Sequence, residues 1–166
     1  MEYRTLGSSG CAVSSLCLGT MTFGAETDEP GSHQQLDRFI EAGGNFVDTA
    51  DVYAGGRSEE IIGRWFADRP ADVTEPVVLA TKGRFPRAGD DSPNGAGLSA
   101  RHLTRALDAS LRRLGRHLAD PRDDQEALRP VLTGEGCLTA RPKCLPIAWR
   151  YGLSNSGTKR LRSTST

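Results

Sequence analysis

No stretch of about 18 consecutive apolar residues occurs in this sequence, so no segment has the make-up of a membrane-spanning helix. Neither sign of charge is in excess: 21 Lys and Arg balance 21 Asp and Glu. Nucleic-acid binding needs a basic surplus to neutralise phosphate, and that class is therefore disfavoured. A basic helix face at Arg101, Arg105, Arg112, Arg113 and Arg116 reads as solvated rather than as a phosphate-binding surface. The N-terminus, Met1-Glu2-Tyr3-Arg4, has no basic start followed by an apolar core, so a secretory signal is not expected. Cysteines are few. Cys11, Cys17, Cys137 and Cys144 show no CxxC or His-paired metal spacing, which leaves free thiols in a reducing cytoplasm as the expectation and no metal site. Hydrophobic residues make up 37% of the 166 residues, a low share whose deficit falls mostly in the last third.

What is present has the rhythm of strands alternating with helices. Tyr3 to Val13 reads as a hairpin around Gly7-Ser8-Ser9-Gly10. Ser14 to Gly19 is the first candidate core strand. A helix is expected from Ser32, with Leu36, Phe39 and Ile40 on its apolar face and Gly43-Gly44 as its stop. Asn45 to Asp48 is the second strand. Ser58 is expected to cap the next helix, with Glu59 and Glu60 at its positive dipole end and Ile61, Ile62, Trp65 and Phe66 buried. Val77 to Thr81 is an unbroken apolar run of the kind found in parallel strands covered on both faces. Ser99 caps a last helix whose stripe is Leu103, Leu107, Leu111 and Leu114, ending at Gly115.

Three βα units in residues 1–115 imply a parallel sheet with helical crossovers. No glycine-rich phosphate loop follows the first strand, which argues against a dinucleotide-binding open sheet. Residues 116–166 read differently. Pro121, Pro130, Pro142 and Pro146 interrupt them, and no apolar strand of five residues stands out. This segment is expected to be divergent and largely irregular, with one short helix near Asp124 to Leu128.

Asp48, Tyr53 and Lys82 fall at or just beyond strand ends, where parallel α/β folds bind ligands. A lysine beside a tyrosine favours the phenolate and eases proton release, and an aspartate can orient that lysine. Such a trio suits protonation of a carbonyl oxygen while hydride arrives at carbon. The residues alone equally allow Asp48 as a turn cap, Tyr53 as a packed loop residue and Lys82 as a solvated strand-end charge. His33, His102 and His117 read as structural or surface residues.

The run Gly43-Gly44-Asn45-Phe46-Val47-Asp48-Thr49-Ala50-Asp51-Val52-Tyr53, followed by Ser58-Glu59-Glu60-Ile61-Ile62-Gly63, resembles the aldo-keto reductase signature GxNxxDTAxxYxxxxSExxxG. Leu18 to Gly24, Ala80-Thr81-Lys82 and Leu107 to Gly115 resemble further segments of that family, in order. The resemblance covers residues 2–115 and resumes at Tyr151-Gly152-Leu153-Ser154-Asn155. It implies part of a (β/α)₈ TIM barrel and an NADP(H)-dependent oxidoreductase, with NAD(H) as the second possibility, acting on a small carbonyl or alcohol substrate. Tyr53 is then the general acid, Lys82 its tuner and Asp48 the partner of Lys82. Gly19, Thr20, Met21, Ser154 and Asn155 are the implied cofactor contacts. The family's fourth catalytic residue is a His about ten residues after Gly115, in a strand of the form DxxxxH. No such strand is found, and His117 comes too early. A full barrel takes about 250 residues. The chain is therefore expected to be a truncated or frameshifted form, weakly active or inactive, with a non-enzymatic remnant or binding fragment as the alternative.

Overall fold

The computed structural model describes residues 1–7, 9–86, 89 and 91–116, together with three short strands further on. The chain opens with an antiparallel hairpin, β1 (Tyr3–Thr5) and β2 (Ala12–Ser14). Then come β3 (Leu18–Gly19), α1 (Glu29–Glu41), β4 (Phe46–Asp48), α2 (Arg57–Asp68), the short α3 (Ala71–Thr74), β5 (Val78–Thr81) and α4 (Ala100–Arg113). The last strands are β6 (Val131–Leu132), β7 (Cys137–Thr139) and β8 (Ile147–Arg150). Among the described residues no helix is long and apolar enough to cross a membrane.

The sheet order is β3-β4-β5-β8-β7-β6. The pairs β3–β4, β4–β5 and β5–β8 are parallel, and β8–β7 and β7–β6 are antiparallel. The three expected βα units are therefore in place and in parallel register. The sheet is a mixed α/β assembly with β3 at one end and β6 at the other.

Three strands form within residues 116–166, and β8 lies against β5 with Leu79 opposite Ile147 and Ala80 opposite Ala148. A two-sided apolar strand such as β5 presents a row of unpaired peptide groups, and any short β-forming run that reaches it satisfies them. Ile147-Ala148-Trp149 is such a run, with three apolar residues against the five-residue criterion. The short helix expected near Asp124 to Leu128 lies outside the described residues.

Helix starts also differ from expectation, for identifiable reasons. α1 begins at Glu29, not Ser32. Asp28 is its cap and accepts from the Gly31 N–H at 3.0 Å, while Pro30 sits in the first turn, where a missing N–H costs nothing. Ser32 instead donates its hydroxyl back to the Asp28 carbonyl. α2 begins at Arg57, one residue before Ser58, after Gly56 at φ 103°. That left-handed backbone is natural only to glycine. Ser99 caps α4 as expected, accepting from the His102 N–H at 3.1 Å. The first core strand is confined to Leu18–Gly19. Ser14 ends β2 instead and, with Asn45, ties the hairpin to the start of β4: the Ser14 N–H donates to Asn45 Oδ1, and Asn45 Nδ2 donates to the Ala12 carbonyl.

The main core lies between the sheet and helices α1 and α2. Phe23, Leu36, Val47, Ile62, Trp65 and Leu79 are buried there. A second small cluster, Leu103, Ala106 and Leu111, lies along α4. Trp65 donates its indole N–H to Asp37 at 2.8 Å, and Arg69 grips the same carboxylate through both oxygens. The Arg69 hydrogen bonds, helped by Trp65, hold the Asp37 carboxyl below its ordinary pKa.

Gly63 marks the closest approach of α2 to the end of α4. A Cβ there would meet the Arg113 carbonyl oxygen at 2.5 Å and Leu114 backbone atoms at 2.9 Å. Backbone cannot step aside as a flexible side chain can. Gly63→Ala is expected to lower stability by about 1–3 kcal/mol through overpacking, read as a lower urea midpoint at unchanged slope. An unchanged midpoint would refute the close approach.

Asp37 gives a second expectation. Its folded-state pKa lies below the unfolded value of about 3.9. The stabilisation is therefore complete above that value and is lost as pH falls through it toward the folded pKa. Asp37→Asn is expected to flatten this acid limb of a stability–pH curve, measured by denaturant unfolding between pH 6 and 2.5. An acid limb as steep as the wild type's would show that Asp37 does not contribute.

Candidate active site

Side chains alternate faces along a strand, and here the alternation sorts chemistry from scaffolding. Val47 and Leu79 face the helices and belong to the core. Two residues further on, and on the same side, come Thr49 and Thr81. The ladder continues past the strand ends: the Thr20 N–H donates to the Asp48 carbonyl and the Thr49 N–H to the Ala80 carbonyl. Gly19 pairs with Asp48, and Asp48 with Ala80. Thr20, Thr49 and Thr81 thus form one layer across the three strands, and none exposes more than 0% of its surface. Gly19, Asp48 and Lys82 occupy the opposite face.

On that opposite face, Lys82 Nζ donates to Asp48 Oδ2 at 2.5 Å and to the Thr49 carbonyl at 2.7 Å. The same nitrogen lies 5.0 Å from the centre of the Tyr53 ring. Asp48 is the last residue of β4, Lys82 follows β5, and Tyr53 opens the 3₁₀ turn Tyr53–Gly56 before α2. The turn reverses sharply: Ala54 has φ 49° and Gly55 φ 69°. The three side chains picked out from sequence converge at the C-terminal ends of adjacent parallel strands. Their side chains are partly accessible: Lys82 and Asp48 expose 28% and 33%. A reactant can therefore reach them.

The implied cofactor contacts divide. Gly19 is exposed, and a Cβ built on it meets nothing within 4 Å, which leaves open space in front of β3. Met21 is 65% exposed beside it. The Thr20 side chain is turned to other work. Its hydroxyl donates to the Asp48 carbonyl at 3.0 Å and accepts from Ser58 at 3.0 Å. Ser154 and Asn155 lie outside the described residues, as does His117. His33 and His102 are structural: His33 Nε2 lies 3.1 Å from the Ile61 carbonyl, and buried His102 Nε2 lies 2.7 Å from the Gly83 carbonyl.

Sequence reading passed over the pair Ser58-Glu59 except as helix-start signals. Ser58 is fully buried and links Thr20 to Thr49. Glu59 is also fully buried, and it accepts from the Thr81 hydroxyl at 2.6 Å and from Arg113 Nε at 2.7 Å. The sequence shows only a glutamate in the first turn of one helix and an arginine at the end of another; the burial that pairs them is set by the fold.

Cys17 reports on the site's electrostatics. Loss of water around its sulfur and, to a lesser degree, the Asp48 carboxylate push the thiol up, Lys82 partly offsets them, and the net result is about 11. Alkylation of Cys17 at pH 8 is therefore expected to be slow, although the residue is exposed. Asp48→Asn removes the anion and leaves the cation, so alkylation should speed up; Lys82→Met should slow it. Mass spectrometry of the iodoacetamide adduct reads the order, and a reversed order would contradict the arrangement of these charges.

Residues 15–120 match the Aldo/keto reductase family. An uncharacterized oxidoreductase of Bacillus subtilis is 45% identical over 120 residues, covering 69% of this chain and 36% of that protein. Norsolorinic acid reductase of Aspergillus flavus is 47% identical over 88 residues, covering 48% of this chain and 22% of that protein. Among solved structures, the holo form of an aldo-keto reductase from Bacillus halodurans superimposes with a TM-score of 0.58 at 35% identity, covering 72% of this chain and 38% of that one. The chain thus spans about a third of the length of the first of these relatives. With its parallel strand ends, its Asp48–Lys82 pair beside Tyr53 and this match, the chain belongs to the aldo/keto reductase family.

Proposed function

We propose that the site reduces a small aldehyde or ketone to the alcohol with NADPH, or with NADH in second place. The observation that carries this reading is the Lys82 ammonium, held by Asp48 and set beside the Tyr53 ring at the strand ends. Tyr53 offers its phenolic proton to the carbonyl oxygen. The Lys82 cation favours the phenolate left behind, because a neighbouring positive charge lowers the cost of the anion. Asp48 fixes Lys82 rather than touching the substrate. The open ledge at Gly19 and Met21 suits a flat ring approaching the backbone, and Ser154 and Asn155 are the residues the family resemblance adds to it. A reduced nicotinamide held there supplies the hydride. The free thiols Cys11 and Cys17 support a reducing, cytoplasmic setting.

The 166-residue chain by itself is expected to turn over slowly or not at all. Its sequence carries no His in a DxxxxH strand to polarise the carbonyl, and loss of one such donor commonly costs about 10²–10³ in rate. Misplacing the reacting groups by about 1 Å can cost about 10² more. The test is NADPH oxidation with 4-nitrobenzaldehyde, comparing the chain with Tyr53→Phe. Whatever rate is present should vanish in Tyr53→Phe. A rate that survives the substitution would sink the assignment of Tyr53. A robust rate lost in the variant would uphold the site and overturn the expectation of a disabled chain. A non-enzymatic binding fragment would instead bind NADPH, seen by fluorescence titration, without oxidising it.

A further inference from the structure

Glu59 lies in the first turn of α2, far in sequence from Lys82, yet it touches the residue before it. Its two carboxylate oxygens have different tasks. Oε2 accepts from Arg113 Nε at 2.7 Å, and the buried charge is thereby paired. Oε1 accepts from the Thr81 hydroxyl at 2.6 Å. A buried carboxylate is kept only where both oxygens find partners, so this geometry is tightly defined. Thr81 is the last residue of β5, and just past it the Lys82 carbonyl accepts from the Asp51 N–H at 3.0 Å. Because successive side chains point to opposite faces, fixing the Thr81 side chain on the helix side fixes the direction of Lys82 on the other. Ser58 does the corresponding work at Thr20 and Thr49, and the Thr49 carbonyl is the second acceptor for Lys82.

We propose that Glu59 is a positioning residue for the reduction, holding Lys82 against Asp48 through the Thr81 hydroxyl. This rests on the reading of Asp48, Tyr53 and Lys82 as the reducing site. Arg113 anchors the device from the far side, so the end of α4 and the end of β5 are locked to the same carboxylate. A longer or looser link would let the Lys82 nitrogen leave its two acceptors, and small displacements matter at a proton-transfer site.

The experiment reads Lys82 directly, without relying on turnover. The full chain is treated with a limiting amount of an N-hydroxysuccinimide acetate ester, and acylation of each lysine is followed by mass spectrometry. Lys143 and Lys159 serve as internal references. Thr81→Val removes only the hydroxyl and leaves the Glu59–Arg113 pair; Thr81→Ser restores a hydroxyl. Thermal unfolding by circular dichroism fixes an assay temperature at which each variant is folded. Lys82 is expected to acylate several-fold faster in Thr81→Val than in wild type, with Thr81→Ser near wild type and both reference lysines unchanged. Equal Lys82 rates in all three proteins would overturn the proposal, as would equal acceleration in Thr81→Val and Thr81→Ser. If Thr81→Val does not fold, Glu59→Asp keeps the charge for Arg113 and draws the acceptor away from Thr81. It should accelerate Lys82 in the same way, and no acceleration counts against the proposal. Failure of the two readings is distinguishable. A responsive Lys82 in a protein whose NADPH oxidation ignores Tyr53→Phe would leave the positioning intact and remove the proposed reaction. An unresponsive Lys82 beside Tyr53-dependent oxidation would do the reverse.

Discussion

The buried ion pair between Glu59 and Arg113 ties the start of α2 to the end of α4. Removing one partner of such a pair typically costs about 3–5 kcal/mol, because the other charge is left buried and alone. Here the pair spans 54 positions of sequence and brings the first turn of α2 to the last turn of α4. The glycine at position 63 lets the two helices approach closely enough for it, one turn further along α2. Thr81 shares the carboxylate, so the end of β5 is registered to both helices. A hydrophobic core alone would bring these elements together without fixing their rotation. The polar pair supplies that angular definition.

Seen this way, the signature motif is a set of mechanical requirements as well as chemical ones. In the proposed reaction Tyr53 carries the chemistry and Asp48 holds Lys82. Asn45 joins the hairpin to β4. Thr49 and Ser58 form a hydroxyl bridge beneath the strand ends, Glu59 holds Thr81 and Arg113, and Gly63 clears space. The two roles sit on opposite faces of the same strands. Moving along a strand by a single residue, from Thr81 to Lys82, exchanges one role for the other.

That division explains what could be read in the sequence and what could not. Unbroken apolar runs such as Val77 to Thr81 identified buried parallel strands, and the leucine stripe with Ser99 identified α4, because both signals are local. Asp48, Tyr53 and Lys82 stood out because each is a reactive side chain at or just beyond a strand end. Ser58 misled for the opposite reason. A serine at a helix start is usually a cap, but its hydroxyl is claimed here by Thr20 and Thr49, contacts that lie far away in sequence. The α1 start was misplaced because Asp28 with Pro30 outcompetes Ser32 as a boundary. β8 escaped notice because its pairing with β5 depends on an edge offered by another part of the chain, which four apolar-biased residues cannot announce on their own.

The same reasoning separates the precision of the site from the completeness of a barrel. Asp48 and Lys82 are held by contacts within β3 to β5 and α2 to α4: the Thr20–Thr49–Thr81 layer, Ser58, Glu59 and Arg113. None of these partners comes from beyond residue 113. These side-chain contacts all lie in the segment that holds the family signature, while β8 adds backbone pairing to β5 as far as Thr81, opposite Trp149. Orienting the carbonyl and holding the nicotinamide draw on groups carried by later strands in a full barrel. The proposed reduction needs both halves in reacting distance, so a correctly formed Lys82–Asp48 pair would serve it without by itself determining the rate.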